Sequence, residues 1–164
     1  MPALPQPPDP DFERRVRGSF ARQGLMSTFQ AVLDRVEPGR VEIRVPFAPG
    51  LTQQDGFFHA GVVVAAVDSA CGYAALTLMA TGQRVLTVEL KVNLLAPAAG
   101  SHLTARGEVL RAGRTLTVCR GDAHVVSNGA AKHVATLLTT MATVSDTTMA
   151  TVSDTTMATV SDTP

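Results

Sequence analysis

Hydrophobic and polar positions alternate along most of this chain, with one long interruption. Val41, Ile43, Val45 and Phe47 alternate with Glu42, Arg44 and Pro46, a period of two that predicts a strand with one buried face. From Met26 onward Phe29, Ala31 and Leu33 follow the same rhythm, and Pro38 with Gly39 marks a turn between the two runs, so a hairpin is expected. Four further strand-like runs follow at 84–97, 101–113, 115–127 and 132–144, separated by Pro97, Gly100, Gly113 and Asn128-Gly129. Near the start, Phe12, Val16 and Phe20 recur at a spacing of four and predict a short helix docked by one stripe. The interruption runs from His59 to Ala80, an apolar and small-residue segment whose only formally charged side chain is Asp68.

A segment of that length invites a transmembrane reading. Asp68 opposes it, because a carboxylate near mid-bilayer costs about 3 kcal/mol or more. No Lys or Arg lies between Val45 and Gln83 to set an orientation, and no second span is present. The segment therefore reads as a helix buried all round by a sheet that curls about it, which makes the fold class α+β with about six antiparallel strands on one long helix. Gly61, Ala65, Ser69 and Gly72 form a small-residue stripe that would let this helix approach the sheet, or a symmetry mate, closely.

Composition narrows the function classes. With 164 residues, 45% hydrophobic and 17% charged, the chain suits one domain, placed at 11–144. Fourteen Lys plus Arg balance fourteen Asp plus Glu, so no basic surface points to nucleic acid or to an anionic membrane. The five prolines of residues 1–10 predict a flexible arm, and the absence of a basic region followed by an apolar stretch predicts a cytoplasmic protein. At the other end "MATVSDTT" at 141–148 recurs at 149–156 and closes as "MATVSDTP" at 157–164, so residues 145–164 are expected to be a disordered tail. Cys71 and Cys119 stand far apart with no metal-ligand spacing, which predicts two free thiols and no metal site.

An isolated buried carboxylate is expensive, so Asp68 must be paired or must face a pocket. In a mostly apolar pocket it would serve as a general base or nucleophile with a tuned pKa. Just upstream, a glycine-containing turn leads into His59, Ala60 and Gly61, where the first helical amides lack intrahelical acceptors and suit an oxyanion. Gln53, Gly56, His59-Ala60-Gly61, Asp68 nine residues after His59, and "TVELKVNLLAP" at 87–97 together resemble the hotdog-fold acyl-CoA thioesterases of the phenylacetate-degradation, PaaI-like type. Their usual pattern is Asn-x-x-Gly-x-x-His-Gly-Gly, then Asp on the central helix, then a strand opened by Thr or Ser and ending near Pro. The likeness covers roughly residues 12–143, with Gln53 in place of Asn and Ala60 in place of the first Gly of the pair.

That resemblance implies hydrolysis of an acyl-CoA, with Asp68 as base or nucleophile and the amide of Ala60 or Gly61 polarising the thioester carbonyl. Gln53 would position the water or the thioester, and Thr87 would hold the water near Asp68. His59 is either catalytic or a neutral side chain satisfying loop backbone groups. The resemblance also implies a homodimer with sites across its interface, alone or paired into a tetramer, and no cofactor. The alternative is an acyl-CoA-binding or sensor module without catalysis. Arg111 and Arg114, flanking Gly113, are candidates for the phosphates of coenzyme A. Cys71 has no evident neighbour to activate it, and His102, His124, His133 and Asp122 lack ligand spacing.

Overall fold

The computed structural model describes residues 6–145. Its elements are α1 (Phe12–Phe20), α2 (Gly24–Thr28), β1 (Val32–Glu37), β2 (Arg40–Pro46), a 3-10 turn (Pro49–Leu51), α3 (Ala60–Leu76), β3 (Gln83–Leu94), β4 (His102–Ala112), β5 (Leu116–Ser127) and β6 (Ala130–Ser145). All six strands form one antiparallel sheet in the order β1-β2-β4-β5-β6-β3, with β3 at one edge. α3 packs on one face of it and touches every strand from β2 to β6. This is the expected α+β hotdog arrangement of a sheet wrapped around a central helix.

The period-two residues explain the wrap. Ile43, Val45, Leu103, Ala105, Val109, Cys119, Ala123 and Val125 turn inward onto α3 and are 0–1% exposed. Their alternates carry cross-strand ion pairs on the solvent face, among them Arg40–Glu108, Arg106–Glu42 and Arg44–Asp34, which hold register more than they stabilise. The helix comes closest to the sheet at two strand glycines. A Cβ on Gly107 would lie 2.4 Å from the Ala70 backbone, and one on Gly121 would lie 2.2 Å from Val67 Cγ1.

Four expectations need correction. α3 is not buried all round, because Val64, Ala65, Asp68, Ser69 and Gly72 share a half-exposed side. The small-residue stripe lies along that side, so the glycines of the sheet, not those of the helix, make the close approach. The alternation from Met26 to Leu33 begins in helix α2, since Met26 and Phe29, three apart, both reach the core, and Gln30 at φ 53° turns the chain into β1. The long helix stops at Leu76, not Ala80. There the Thr77 hydroxyl donates to the Ala74 carbonyl at 2.6 Å and accepts the Gly39 N–H at 2.7 Å, while the Arg15 guanidinium donates to the carbonyls of Leu76, Met79 and Ala80.

Arg15 also pairs at 3.3 Å with Asp9, itself 6% exposed, so the expected N-terminal arm is anchored at its inner end. Ser145, assigned to the tail from sequence, is the last residue of β6. Residues 1–5 of the arm and 146–164 of the repeats lie outside the described residues. No helix among the described residues is long and apolar enough to cross a membrane.

Candidate active site

At the start of α3 the two candidate amides differ in their hydrogen bonding. His59 is the N-cap, and its Nδ1 accepts the Gly61 N–H at 2.9 Å, which fixes the proton on Nε2. Val62 and Val63 donate to the His59 carbonyl. The Ala60 N–H has no hydrogen-bond partner among the described residues, so it is the amide left open at the positive end of the helix dipole. The chain reaches this point through a turn in which Gly56 adopts φ +81°, Gly56 N–H donates to the Gln53 carbonyl at 3.1 Å, and Gln53 N–H donates to that of Phe57 at 2.9 Å. The Gln53 side-chain carbonyl accepts the Asp55 N–H and so braces its own turn. Gln53 and Ala60 line one cleft of about 500 Å³, whose other walls are apolar and include Phe57, Phe58, Leu94 and Leu95.

Asp68 lies eight residues along α3, on its half-exposed side. The Thr87 hydroxyl lies 3.0 Å from Oδ1 and 3.2 Å from Oδ2 of Asp68 and donates to that carboxylate. A β-bulge aims it there: Thr87 pairs with Met141 and Glu89 with Thr140, so Val88 is the extra residue. Burial pushes the Asp68 carboxyl above the usual carboxylate range, and the Thr87 hydroxyl pulls against that shift. Asp68 and Thr87 line a second cleft of about 360 Å³ with Arg22, Ser69, Tyr73 and Arg84. Beside it the Tyr73 hydroxyl donates to Gln23 Oε1 at 3.0 Å, and Gln23 Nε2 donates to Ser69 Oγ at 3.1 Å.

The structure therefore brings the sequence candidates together in two groups, Gln53 with Ala60 and Asp68 with Thr87. His59 serves the first group as a cap. Arg111 and Arg114 sit exposed about the β4–β5 turn and line neither cleft. Burial pushes the Cys71 thiol well up and that of Cys119 to about 12, which removes both as nucleophiles. His124 and His133 stack on the solvent face with ring centres 4.6 Å apart, and His133 Nε2 lies 3.0 Å from Asp122, but no group of three or more potential metal ligands occurs among the described residues. Arg22, Gln23, Ser69, Tyr73 and Arg84 line the cleft that holds Asp68, and no sequence motif announced them there.

Comparison with known proteins places the chain in a family. The thioesterase superfamily model matches residues 55–132, a span that contains His59, Asp68 and Thr87. A thioesterase family protein from Silicibacter pomeroyi shares 47% identity and superposes with a TM-score of 0.81, covering 82% of this chain and 98% of that one. The chain belongs to the thioesterase superfamily. A candidate esterase of Saccharolobus solfataricus, SSO2140, is 37% identical to this thioesterase-family protein over 83 residues, 51% of this chain and 59% of its own length. PaaI of E. coli, from the phenylacetic acid degradation operon, has the same fold at 16% identity, with a TM-score of 0.73 over 82% of this chain and 94% of its own. Family membership supports thioester hydrolysis as the general activity.

Proposed function

We propose that the protein hydrolyses acyl-CoA thioesters at sites shared between two copies of the chain. The observation that carries this reading is a half-buried carboxylate, Asp68, oriented by a hydroxyl donor on one part of α3, with an unpartnered amide at the start of the same helix. Eight residues separate the two along α3, about 12 Å at 1.5 Å per residue, too far for a base acting through one water to serve a carbonyl held by Ala60 of its own chain. A two-fold pair with antiparallel helices removes the gap by setting Asp68 of one chain against Ala60 of the other. The β3 edge favours such pairing: its outer side has no strand partner among the described residues, and Leu86, Val88, Leu90 and Leu94 are 38–59% exposed along it.

In the shared site Asp68 takes a proton from water as the water oxygen bonds to the thioester carbon. The negative charge that develops on the carbonyl oxygen falls to the Ala60 N–H and the α3 dipole. Collapse re-forms the carbonyl and breaks the C–S bond, and the departing thiolate takes the proton back from Asp68, leaving the free acid and coenzyme A. Thr87 keeps the carboxylate aimed at the water, and Gln53 positions the water or the thioester once its turn contact is released. A free-thiol assay over aryl, short and long acyl-CoAs tests the reading. Asp68→Asn is expected to lower kcat at least about 100-fold while acyl-CoA binding, followed by calorimetry, persists. Thiol release from none of the substrates, or near-normal turnover by the folded variant, would overturn it.

A further inference from the structure

The two clefts differ in chemistry. The one beside Ala60 is walled by aromatic and aliphatic side chains, whereas the one that holds Asp68 is polar and carries two guanidinium groups, Arg22 and Arg84. From this difference we infer that the Asp68 cleft selects acyl groups ending in a carboxylate, which Arg22 binds at the end remote from the thioester. The inference rests on the proposed hydrolysis and names its substrate class.

Three observations support it. Most arginines of the sheet face and of α1 are committed to a carboxylate, as Arg14, Arg15, Arg17, Arg40, Arg44, Arg106 and Arg120 show, yet Arg22 makes no ion pair with any described residue. The neutral polar groups around it are closed on one another through Tyr73, Gln23 and Ser69, so the guanidinium is the donor that remains to meet a ligand. Arg22 also lines the same cleft as Asp68, whose carboxylate accepts from the Thr87 hydroxyl and forms no ion pair with Arg22.

With Asp68 acting at the thioester carbon, a cation that shares its cleft is placed to meet the acyl end, and the apolar cleft is left for the methylene and dimethyl portion of the pantetheine arm. A planar guanidinium suits a terminal carboxylate, with two parallel N–H donors for two oxygens.

Steady-state hydrolysis of glutaryl-CoA against pentanoyl-CoA, equal in carbon number and different in terminal charge, is the test. Wild-type protein is expected to favour glutaryl-CoA in kcat/KM by about tenfold or more, a preference that shrinks as salt is raised. Arg22→Met should remove the preference by lowering the glutaryl value about tenfold with the pentanoyl value within about twofold, and Arg22→Lys should restore part of it. Arg22→Gln provides a second neutral variant, and melting curves establish that each is folded. Equal losses on both substrates, no loss on glutaryl-CoA, or a wild-type preference for pentanoyl-CoA would overturn the inference and leave the hydrolytic site standing. Release of thiol from neither substrate would overturn both.

Discussion

Mixing two dead variants should produce a live enzyme. Gln53 and Ala60 line one cleft of the chain and Asp68 and Thr87 another, so Gln53→Ala and Asp68→Ala each break both sites of a homodimer, one half-site at a time. Equal amounts unfolded together and refolded pair at random, and about half of the dimers are mixed. In a mixed dimer one site joins Gln53→Ala to Asp68→Ala and carries both lesions, while the other joins the intact Gln53 of one chain to the intact Asp68 of its mate. One good site in two, on half the dimers, restores about a quarter of wild-type activity when the sites act independently. The assay is thiol release after co-refolding, with each variant refolded alone as the baseline and the mixed species counted by native mass spectrometry. Had both groups served one site within a chain, every site in the mixture would carry a single lesion. Activity at the baseline with mixed dimers present would refute the shared site.

Thr87→Val removes the hydroxyl that opposes the burial shift of Asp68, so the acid limb of its kcat/KM profile should move to higher pH and turnover at neutral pH should fall about tenfold; an unmoved limb would detach Thr87 from the base. Because the folded-state pKa of Asp68 is raised, its protonated form is favoured by folding: that contribution is full below the ordinary carboxylate pKa and is lost as pH rises through the raised value. Asp68→Asn should accordingly raise Tm at neutral pH, with the gain vanishing in acid below the ordinary carboxylate range, and a lower Tm at neutral pH would contradict it. Gly107→Ala forces a Cβ to 2.4 Å from the Ala70 backbone and should cost about 3 kcal/mol in urea denaturation; a loss under about 0.5 kcal/mol would mean the sheet moves aside freely.

The four long strands and α3 were readable because their burial follows one short period each, and turn residues mark their ends. α2 was not, because in five residues the i, i+3 pair of Met26 and Phe29 looks the same as part of a longer alternation. At the site, Asp68 stood out as a lone charge in an apolar run, and His59 as a residue at a helix start. Which amide remains open depends on the imidazole reaching Gly61, a matter of rotamer rather than spacing. Gln23 was not legible because it meets Ser69 and Tyr73 at sequence separations of 46 and 50, and Arg22 because only the fold sets it in the same cleft as Asp68. The arginines about Gly113 were plausible as charges near a turn, and only the topology shows that this turn opens on neither cleft.

The sheet order has a consequence for biosynthesis. β3 is the third strand to be made, but its partner in the sheet is β6, the last: Gln83 pairs with Ser145 and Leu94 with Ala135, across 62 and 41 residues of chain. Until the final strand leaves the ribosome, β3 has no ladder to join, and its exposed leucines are free to seek other chains. The bulge that aims Thr87 at Asp68 exists only within that late ladder. A nascent chain therefore closes its core and gives its carboxylate an aimed hydroxyl partner in the same late step, because β6 supplies Val134, Ala135, Leu137 and Met141 to the core as well as the ladder that β3 joins.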